Sequence, residues 1–416
     1  MSGVRPSPAA ALLVPVFAIA LGACTSTTDS VGYDGVKQLD KIKGPDVYPN
    51  PFNTWIGKSQ ADIDAKITAT WNQLFYGDPM NQAIYFPIGT DQAEIRDTYH
   101  GDIRTEGIGY AMMIAVQLDK RTEFDRMWMY VKSVLSYPMT EPSGGYFKSS
   151  CDRLPPQSAS SCNDPFGHGQ FVTALLFAKD RWGITGVHNY DTDAAALLDV
   201  MRHKEDMNGG IVNDVTNTFD FDTALPFHVP ETKAAGISRP SIVMPAFYEL
   251  WAQATHDPFW TRAATAARAY WKRTAHSTTG LVPMRAYFDG TPVENWEAFD
   301  SEAYRTQINM ALDRLWFPRD PWESEEADKL LDFFWSKGLM SYGTSYTLEG
   351  EQISPPHDPA LVAANGVIAT ISMSNNRNAF VTEVWNLQTP IAAGRYFSGI
   401  LQLTALLILS GKYIVL

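Results

Sequence analysis

Residues 59–74 read SQADIDAKITATWNQL, and apolar side chains recur in this stretch at every third or fourth position, at Ile63, Ile67, Trp71 and Leu74. This spacing places all four side chains on one face of an α-helix. Ser59 stands where an N-cap residue is expected, and Asp62, three residues later, completes a start that resembles a capping box. The stretch therefore predicts an amphipathic helix that begins just after Ser59.

The same periodicity continues along most of the chain. Further helical stretches begin near Glu106, Thr122, Gly167, Asp191, Ser241, Pro258, Ser301, Trp322, Pro359, Arg377 and Ala392. About twelve helices in one domain predict an all-α protein and are compatible with six helical hairpins closed into an (α/α)6 barrel. An open solenoid has the same number of elements, but the absence of a repeated sequence unit disfavours it. The apolar C-terminal stretch, residues 400–409, is too short to span a membrane and is predicted to be an inner helix.

The N-terminus has the composition of a targeting segment. Arg5 precedes an apolar stretch at residues 9–20, and small residues lead to Leu21-Gly22-Ala23-Cys24, which resembles the lipobox of bacterial lipoproteins. A buried helix or an uncleaved anchor is the alternative. The sequence therefore predicts a signal peptide at residues 1–23, a lipidated tether at residues 24–45 beginning with Cys24, and one domain at residues 46–416. The expected location is the bacterial cell envelope, with the protein held at the membrane by its lipid and facing the periplasm or the outer surface.

Composition narrows the range of partners. The net charge of -13 argues against a nucleic-acid partner, because phosphates require clustered Lys and Arg. The aromatic content of 12% suits a sugar-binding cleft and a large core equally well. After Cys24 only Cys151 and Cys162 remain, which excludes a four-cysteine zinc site. In an exported protein this pair is expected to form a disulfide, with two free thiols as the alternative.

Two clusters of residues carry carboxylates at predicted helix starts. The first is Arg104-Thr105-Glu106-Gly107, and the second contains Asp300, Glu302 and Arg305. Each cluster alone is typical of a helix start at which an acid complements the helix dipole. Together they supply the proton donor and the second carboxylate that glycoside hydrolysis requires.

Ordered motifs along the chain resemble those of glycoside hydrolase family 8. Arg104-Thr105-Glu106-Gly107 with Tyr110-Ala111-Met112-Met113 is similar to the proton-donor motif of that family. Further matches follow in order at Phe247-Tyr248-Glu249-Leu250, Thr279-Gly280-Leu281, Phe288-Asp289-Gly290-Thr291-Pro292, Tyr304-Arg305, Leu312-Asp313, Gly366-Val367-Ile368-Ala369-Thr370, Trp385-Asn386 and Arg395-Tyr396. Among family members, the pattern is most similar to that of the reducing-end xylose-releasing exo-oligoxylanases.

The resemblance implies an (α/α)6 barrel and an inverting mechanism on β-1,4-linked xylo-oligosaccharides, without a metal or organic cofactor. Glu106 would protonate the leaving oxygen. The residues expected to bind the sugar are Tyr110, Asp164, Tyr304, Arg305 and Tyr396. The alternatives are an endo-acting xylanase, glucanase or chitosanase of the same family, a lyase or uronyl hydrolase with the same barrel, and a catalytically decayed glycan-binding lipoprotein.

Three departures from the family pattern bear on the chemistry. The family's catalytic base is an aspartate three residues before the arginine, and Glu302 holds that register here, with Asp300 as the other candidate. Phe166 stands where the family has an aspartate thought to position sugar and water, and Asp164 or His168 would have to replace it. The loop at residues 354–365, which includes His357, differs from the loop that blocks the cleft in the exo-acting enzymes.

Overall fold

The structure is a computed structural model, and it describes residues 38–152, 165–184, 186 and 188–416. The predicted signal peptide, the lipidation site at Cys24, Cys162 and Asp164 lie outside the described residues. Only the backbone of Cys151 is described.

Helices dominate the described chain. They are α1 (Pro51–Thr54), α2 (Gln60–Tyr76), α3 (Thr105–Gln117), α4 (Arg121–Tyr130), α5 (Pro165–Trp182), α6 (Tyr190–Asn208), α7 (Pro245–Thr255), α8 (Pro258–Thr274), α9 (Tyr304–Trp316), α10 (Trp322–Ser336), α11 (Pro359–Ile368), α12 (Arg377–Asn386) and α13 (Phe397–Leu409). Helix α1 is a single turn, and the other twelve match the predicted stretches. Helices α7 and α13 begin later than predicted because short 3-10 turns, Pro240–Ile242 and Ala392–Arg395, come before them.

The twelve long helices form a closed double ring. Inner helices α3, α5, α7, α9 and α11 each contact the next inner helix, and α13 contacts α3, which closes the inner ring. Outer helices α4, α6, α8, α10 and α12 each pack against the inner helix before them, and α2 packs against α13. The predicted (α/α)6 barrel is therefore confirmed. Helix α13 is buried along almost its whole length, as expected for an inner helix.

The capping of the helix starts differs between α2 and α4. The Ser59 hydroxyl accepts a hydrogen bond from the amide of Asp62 (3.1 Å), so α2 has the predicted cap. Helix α4 instead begins at Arg121, and its N-cap Lys120 makes no side-chain cap bond. Among the described helices, none is long and apolar enough to cross a membrane.

Short strands lie in the loops at one end of the barrel. Strands β1 (Tyr85–Ile88), β2 (Gln92–Asp97), β3 (Asp102–Arg104) and β4 (Ser150–Asp152) form an antiparallel sheet in that order. Strands β5 (Ile237–Ser238) and β6 (Ala286–Tyr287) pair with each other, and so do β7 (Ser345–Tyr346) and β8 (Gln352–Ser354). Strand β3 runs directly into α3, so the sheet fixes the position where that helix begins.

The first described residues, 38–50, pack at the opposite end of the barrel. The ammonium of Lys179, near the end of α5, donates hydrogen bonds to the carbonyls of Leu39 and Asp40, both at 2.7 Å. The amide of Asp40 donates to the carbonyl of Ala254 at the end of α7 (2.9 Å). These contacts close the end formed by the C-termini of the inner helices. The end formed by their N-termini carries the predicted functional residues.

Candidate active site

Two charged side chains meet at the N-terminal ends of α3 and α9. Glu106 is the second residue of α3, Arg305 is the second residue of α9, and Nη1 of Arg305 forms an ion pair with Oε1 of Glu106. The side chain of Arg305 is only 1% exposed, whereas that of Glu106 is 22% exposed. Glu106 can therefore reach a ligand at this end of the barrel while Arg305 supports it from within.

Aromatic rings and carboxylates surround Arg305. Its Cζ lies 4.6 Å from the ring centroid of Phe166, and the rings of Phe166 and Tyr110 are 5.4 Å apart. Burial lowers the pKa of Arg305, but the charge of Glu106, followed by Tyr110 and Glu302, outweighs burial and raises it. The guanidinium therefore stays charged, and the face of Phe166 adds a favourable cation–π contact.

Two tyrosine hydroxyls lie beside the Glu106 carboxylate. Tyr110 and Tyr396 are buried, and neither hydroxyl has a hydrogen-bond partner within the described part of the chain. The ring of Tyr396 lies so close to Gly107 that a Cβ at position 107 would overlap it, so this approach requires glycine. Burial, together with the charge of Glu106, raises the pKa of both tyrosines. Both hydroxyls are therefore protonated at neutral pH.

Glu302 lies among arginines just before α9. Nη1 of Arg239 is 3.4 Å from Oε2 of Glu302. Burial acts to raise the pKa of Glu302, but the positive charges of Arg239, Arg305 and Arg285 outweigh burial and lower it. Glu302 is therefore an ionised carboxylate at neutral pH. The sequence does not predict Arg239 or Arg285 as partners, because both come from irregular segments without periodicity.

The other candidate for the base has a different environment. Oδ1 of Asp300 accepts a hydrogen bond from the amide of Ser301 (2.5 Å), and its charge acts on Tyr304. Tyr304 itself is buried, and its hydroxyl donates to the carbonyl of Thr344. These contacts place Tyr304 in the core behind Arg305.

The two histidines that the sequence comparison singles out, His168 and His357, both bond to protein atoms. His168 is fully buried, and its Nε2 accepts a hydrogen bond from the amide of Phe147 (3.1 Å). In His357, Nδ1 lies 3.0 Å from the carbonyl oxygen of Tyr342 and Nε2 lies 2.6 Å from Oε1 of Glu383. Both ring nitrogens of His357 are therefore engaged within the protein.

Comparisons with known proteins agree with this geometry. The sequence profile of the glycosyl hydrolases family 8 matches residues 88–411. The reducing-end xylose-releasing exo-oligoxylanase Rex8A of Paenibacillus barcinonensis is 35% identical over 385 residues, covering 88% of this chain and 96% of the relative. The solved structure of Rex8A with xylose superposes with a TM-score of 0.83, at 34% identity, over 89% of this chain and 97% of that one.

Two further relatives match at equal or lower identity. A xylohexaose complex of a catalytic mutant xylanase from Teredinibacter turnerae has a TM-score of 0.82 at 34% identity, covering 89% of this chain and 98% of that chain. Endoglucanase C of Ruminiclostridium cellulolyticum is 24% identical over 377 residues, covering 88% of this chain and 75% of the relative. The family profile, the overall identity and the closed helical ring together place the chain in glycoside hydrolase family 8.

Proposed function

We propose that this enzyme cleaves β-1,4-linked xylo-oligosaccharides with inversion and releases xylose from the reducing end. The observation that carries the proposal is the grouping of Glu106 and Glu302 around the buried guanidinium of Arg305. Relatives at 35–37% identity over nearly their whole length are named as enzymes of this specificity, which supports the choice of substrate.

The two carboxylates have environments suited to different tasks. Glu106 is partly exposed and would protonate the glycosidic oxygen of the leaving sugar. Glu302 is kept ionised by its arginines and would remove a proton from the attacking water. Inverting enzymes hold such carboxyl groups about 6.5–9.5 Å apart, which leaves room for that water. The hydroxyls of Tyr110 and Tyr396 would donate to sugar oxygens, a role supported by the lack of a hydrogen-bond partner for either hydroxyl among the described residues.

Product analysis tests the proposal. The protein is incubated with xylo-, cello- and chitosan oligomers, and the anomeric signals of the products are followed by proton NMR. Release of xylose from the reducing end of the xylo-oligomers is expected, with the inverted α configuration at the new reducing end of the shortened oligomer. Glu106→Gln should abolish turnover while leaving oligosaccharide binding intact, whereas Glu325→Gln, at an exposed position on α10, should be silent. A retained anomer, or an active Glu106→Gln variant, would overturn the mechanism.

Endo action on the same substrates is the second candidate, and relatives named endoglucanases share the family. Both ring nitrogens of His357 bond to protein atoms, which holds this side chain just before α11. Neither nitrogen is then free to bond a sugar at the end of the cleft, which favours endo action. Early products from xylohexaose separate the two modes. Exo action yields xylose and xylopentaose first, whereas endo action yields oligomers of intermediate length.

We further propose that Cys24 is lipidated and holds the enzyme at the bacterial envelope. The support is the signal-like composition of residues 1–23 and the lipobox-like end at Cys24. Metabolic labelling with a clickable fatty acid tests this proposal. Wild-type protein should take up the label and sediment with membranes, and Cys24→Ser should lose both properties. Equal labelling of the two proteins would refute the anchor.

A further inference from the structure

The hairpin between β2 and β3 is built around one buried carboxylate. Asp97 is 1% exposed and accepts hydrogen bonds from the amides of Tyr99 (2.9 Å) and His100 (3.1 Å). Its Oδ2 also lies 2.7 Å from Nδ1 of His100 and 3.2 Å from Nε of Arg104. This many bonds to one group order the backbone of the turn, so the Cα positions of its exposed residues are well defined.

This hairpin adjoins the candidate active site on two sides. Arg104, at the end of β3, is followed by Thr105 and then by Glu106 at the start of α3. The hydroxyl of Thr98 donates to the carbonyl of Ala393 (3.1 Å), in the turn that leads to Tyr396. The three residues of β3, about 10 Å at about 3.3 Å per residue, separate the hairpin tip from the start of α3. More than one pyranose ring is needed to span that distance.

Tyr99 presents an aromatic ring at this tip. It is 75% exposed, and its described ring contact is with the edge of His100, at 4.8 Å between centroids. Isolated exposed aromatics are common on protein surfaces. Two other exposed rings on the described surface are less open, since Tyr76 is 56% exposed and donates to Glu123, and Phe221 is 63% exposed and stacks against Phe259. Tyr99 therefore has an exposed ring, an ordered backbone and a position close to the proton donor.

We propose that the ring of Tyr99 stacks on a sugar of the bound oligosaccharide, several rings away from the cleaved bond. The assignment rests on the proposed function. If xylose leaves from the reducing end, a single sugar occupies that side, so the remaining rings must extend to the non-reducing side. Tyr99 then contacts the non-reducing part of longer substrates. An aromatic ring on an ordered turn suits this role, because the backbone that carries it loses little conformational entropy when the sugar binds.

The test compares substrates of increasing length. Tyr99→Ala should lower kcat/KM for xylohexaose by about 5- to 10-fold, the loss expected for one aromatic stacking contact, and leave xylotriose unaffected. Tyr99→Phe should restore the wild-type value, because the ring face and not the hydroxyl makes the contact. Phe221→Ala, which removes an exposed ring elsewhere, should be silent at every length. Equal loss at all lengths, no loss at any length, or failure of Tyr99→Phe to rescue would overturn the proposal.

Binding to an inactivated enzyme separates this proposal from the proposed function. In the Glu106→Gln background, Tyr99→Ala should raise the Kd for xylohexaose in calorimetry by the same factor. Unchanged xylohexaose affinity would overturn the Tyr99 contact alone. Failure of Glu106→Gln to bind xylohexaose would overturn both the contact and the proposed substrate.

Discussion

Nη1 of Arg305 is ion-paired with Oε1 of Glu106, and the same guanidinium packs against the ring face of Phe166. A planar guanidinium can make both contacts at once, whereas the ammonium of lysine is a compact point charge on a flexible stem. The position of Glu106 therefore depends on the shape of the Arg305 head group as well as on its charge.

Arg305→Lys should lower kcat by about 100-fold, because a donor displaced on the ångström scale loses that much rate. The measurement is steady-state hydrolysis of xylotriose beside a thermal melt. Arg314→Lys makes the same exchange on the same helix at a partly exposed position and should leave kcat unchanged. Wild-type turnover by Arg305→Lys would show that a positive charge at position 305 is sufficient to position Glu106.

The identity of the base is tested by comparing Glu302→Gln with Asp300→Asn. Glu302 is expected to be the base because its carboxylate lies among the arginines, so Glu302→Gln should reduce turnover by about 10²- to 10⁴-fold. Azide should restore turnover to this variant and yield a glycosyl azide. Asp300→Asn should retain most of its activity. Rescue of Asp300→Asn in place of Glu302→Gln would transfer the role to Asp300.

Arg239 should control the pH range in which the base works. The pKa of Glu302 lies below its usual value because the charge of Arg239, with Arg305 and Arg285, outweighs the effect of burial. Removing one positive charge raises that pKa, so more Glu302 is protonated in mild acid. Arg239→Gln should therefore shift the acidic limb of the kcat/KM profile to higher pH. If the acidic limb of the profile does not move, a group other than Glu302 determines its position.

The barrel could be predicted from the sequence because the buried face of each helix consists of apolar residues that recur every three or four positions, as Ile63, Ile67 and Trp71 do. The motif around Glu106 is equally local, since β3 feeds directly into α3. The partners of Glu302 could not be predicted in this way. Arg239 and Arg285 reach it from irregular segments whose paths depend on tertiary contacts, which no local period encodes. The cation–π contact of Phe166 with Arg305 likewise joins residues far apart in sequence.

His357 should make stability depend on pH. Its ring nitrogens face the carbonyl of Tyr342 and the carboxylate of Glu383, both acceptors, so both bonds form only when the ring is protonated. Burial lowers the pKa of His357, but the hydrogen bonds to Glu383 and Tyr342 outweigh burial and raise it. The stabilisation is therefore complete below the unfolded pKa of 6.5 and is lost as the pH rises through the folded pKa.

Replacing the ring tests this dependence. The Tm difference between wild type and His357→Gln should be largest below pH 6.5 and shrink at alkaline pH. His203→Gln, at a partly exposed histidine whose described carboxylate partner is the exposed Asp206, should show no such trend. A Tm difference that stays constant with pH would mean that His357 acts by packing alone.

A second ionic cluster lies where α8, α9 and α10 meet. Nε and Nη2 of Arg268 donate to the two oxygens of Asp313, at 2.6 and 2.7 Å. Glu323 is buried beside this pair, and burial, followed by the charge of Asp313, raises the pKa of Glu323 to about 11. Glu323 is therefore a neutral acid at physiological pH, and the negative charge of Asp313 is matched by Arg268.

Glu323→Gln should make the protein more stable at mildly alkaline pH. The folded state holds a proton on Glu323 that the unfolded chain, with its pKa of 4.5, has released, so wild-type stability falls as the pH rises from 4.5 towards 11. Glutamine keeps the size and a hydrogen-bond donor but does not titrate. Urea unfolding between pH 5 and 9 should show a declining free energy for wild type and a shallower decline for Glu323→Gln. Arg268→Met, which leaves Asp313 unpaired, should cost about 3–5 kcal/mol. Parallel slopes for wild type and Glu323→Gln would show that Glu323 is ionised in the folded protein.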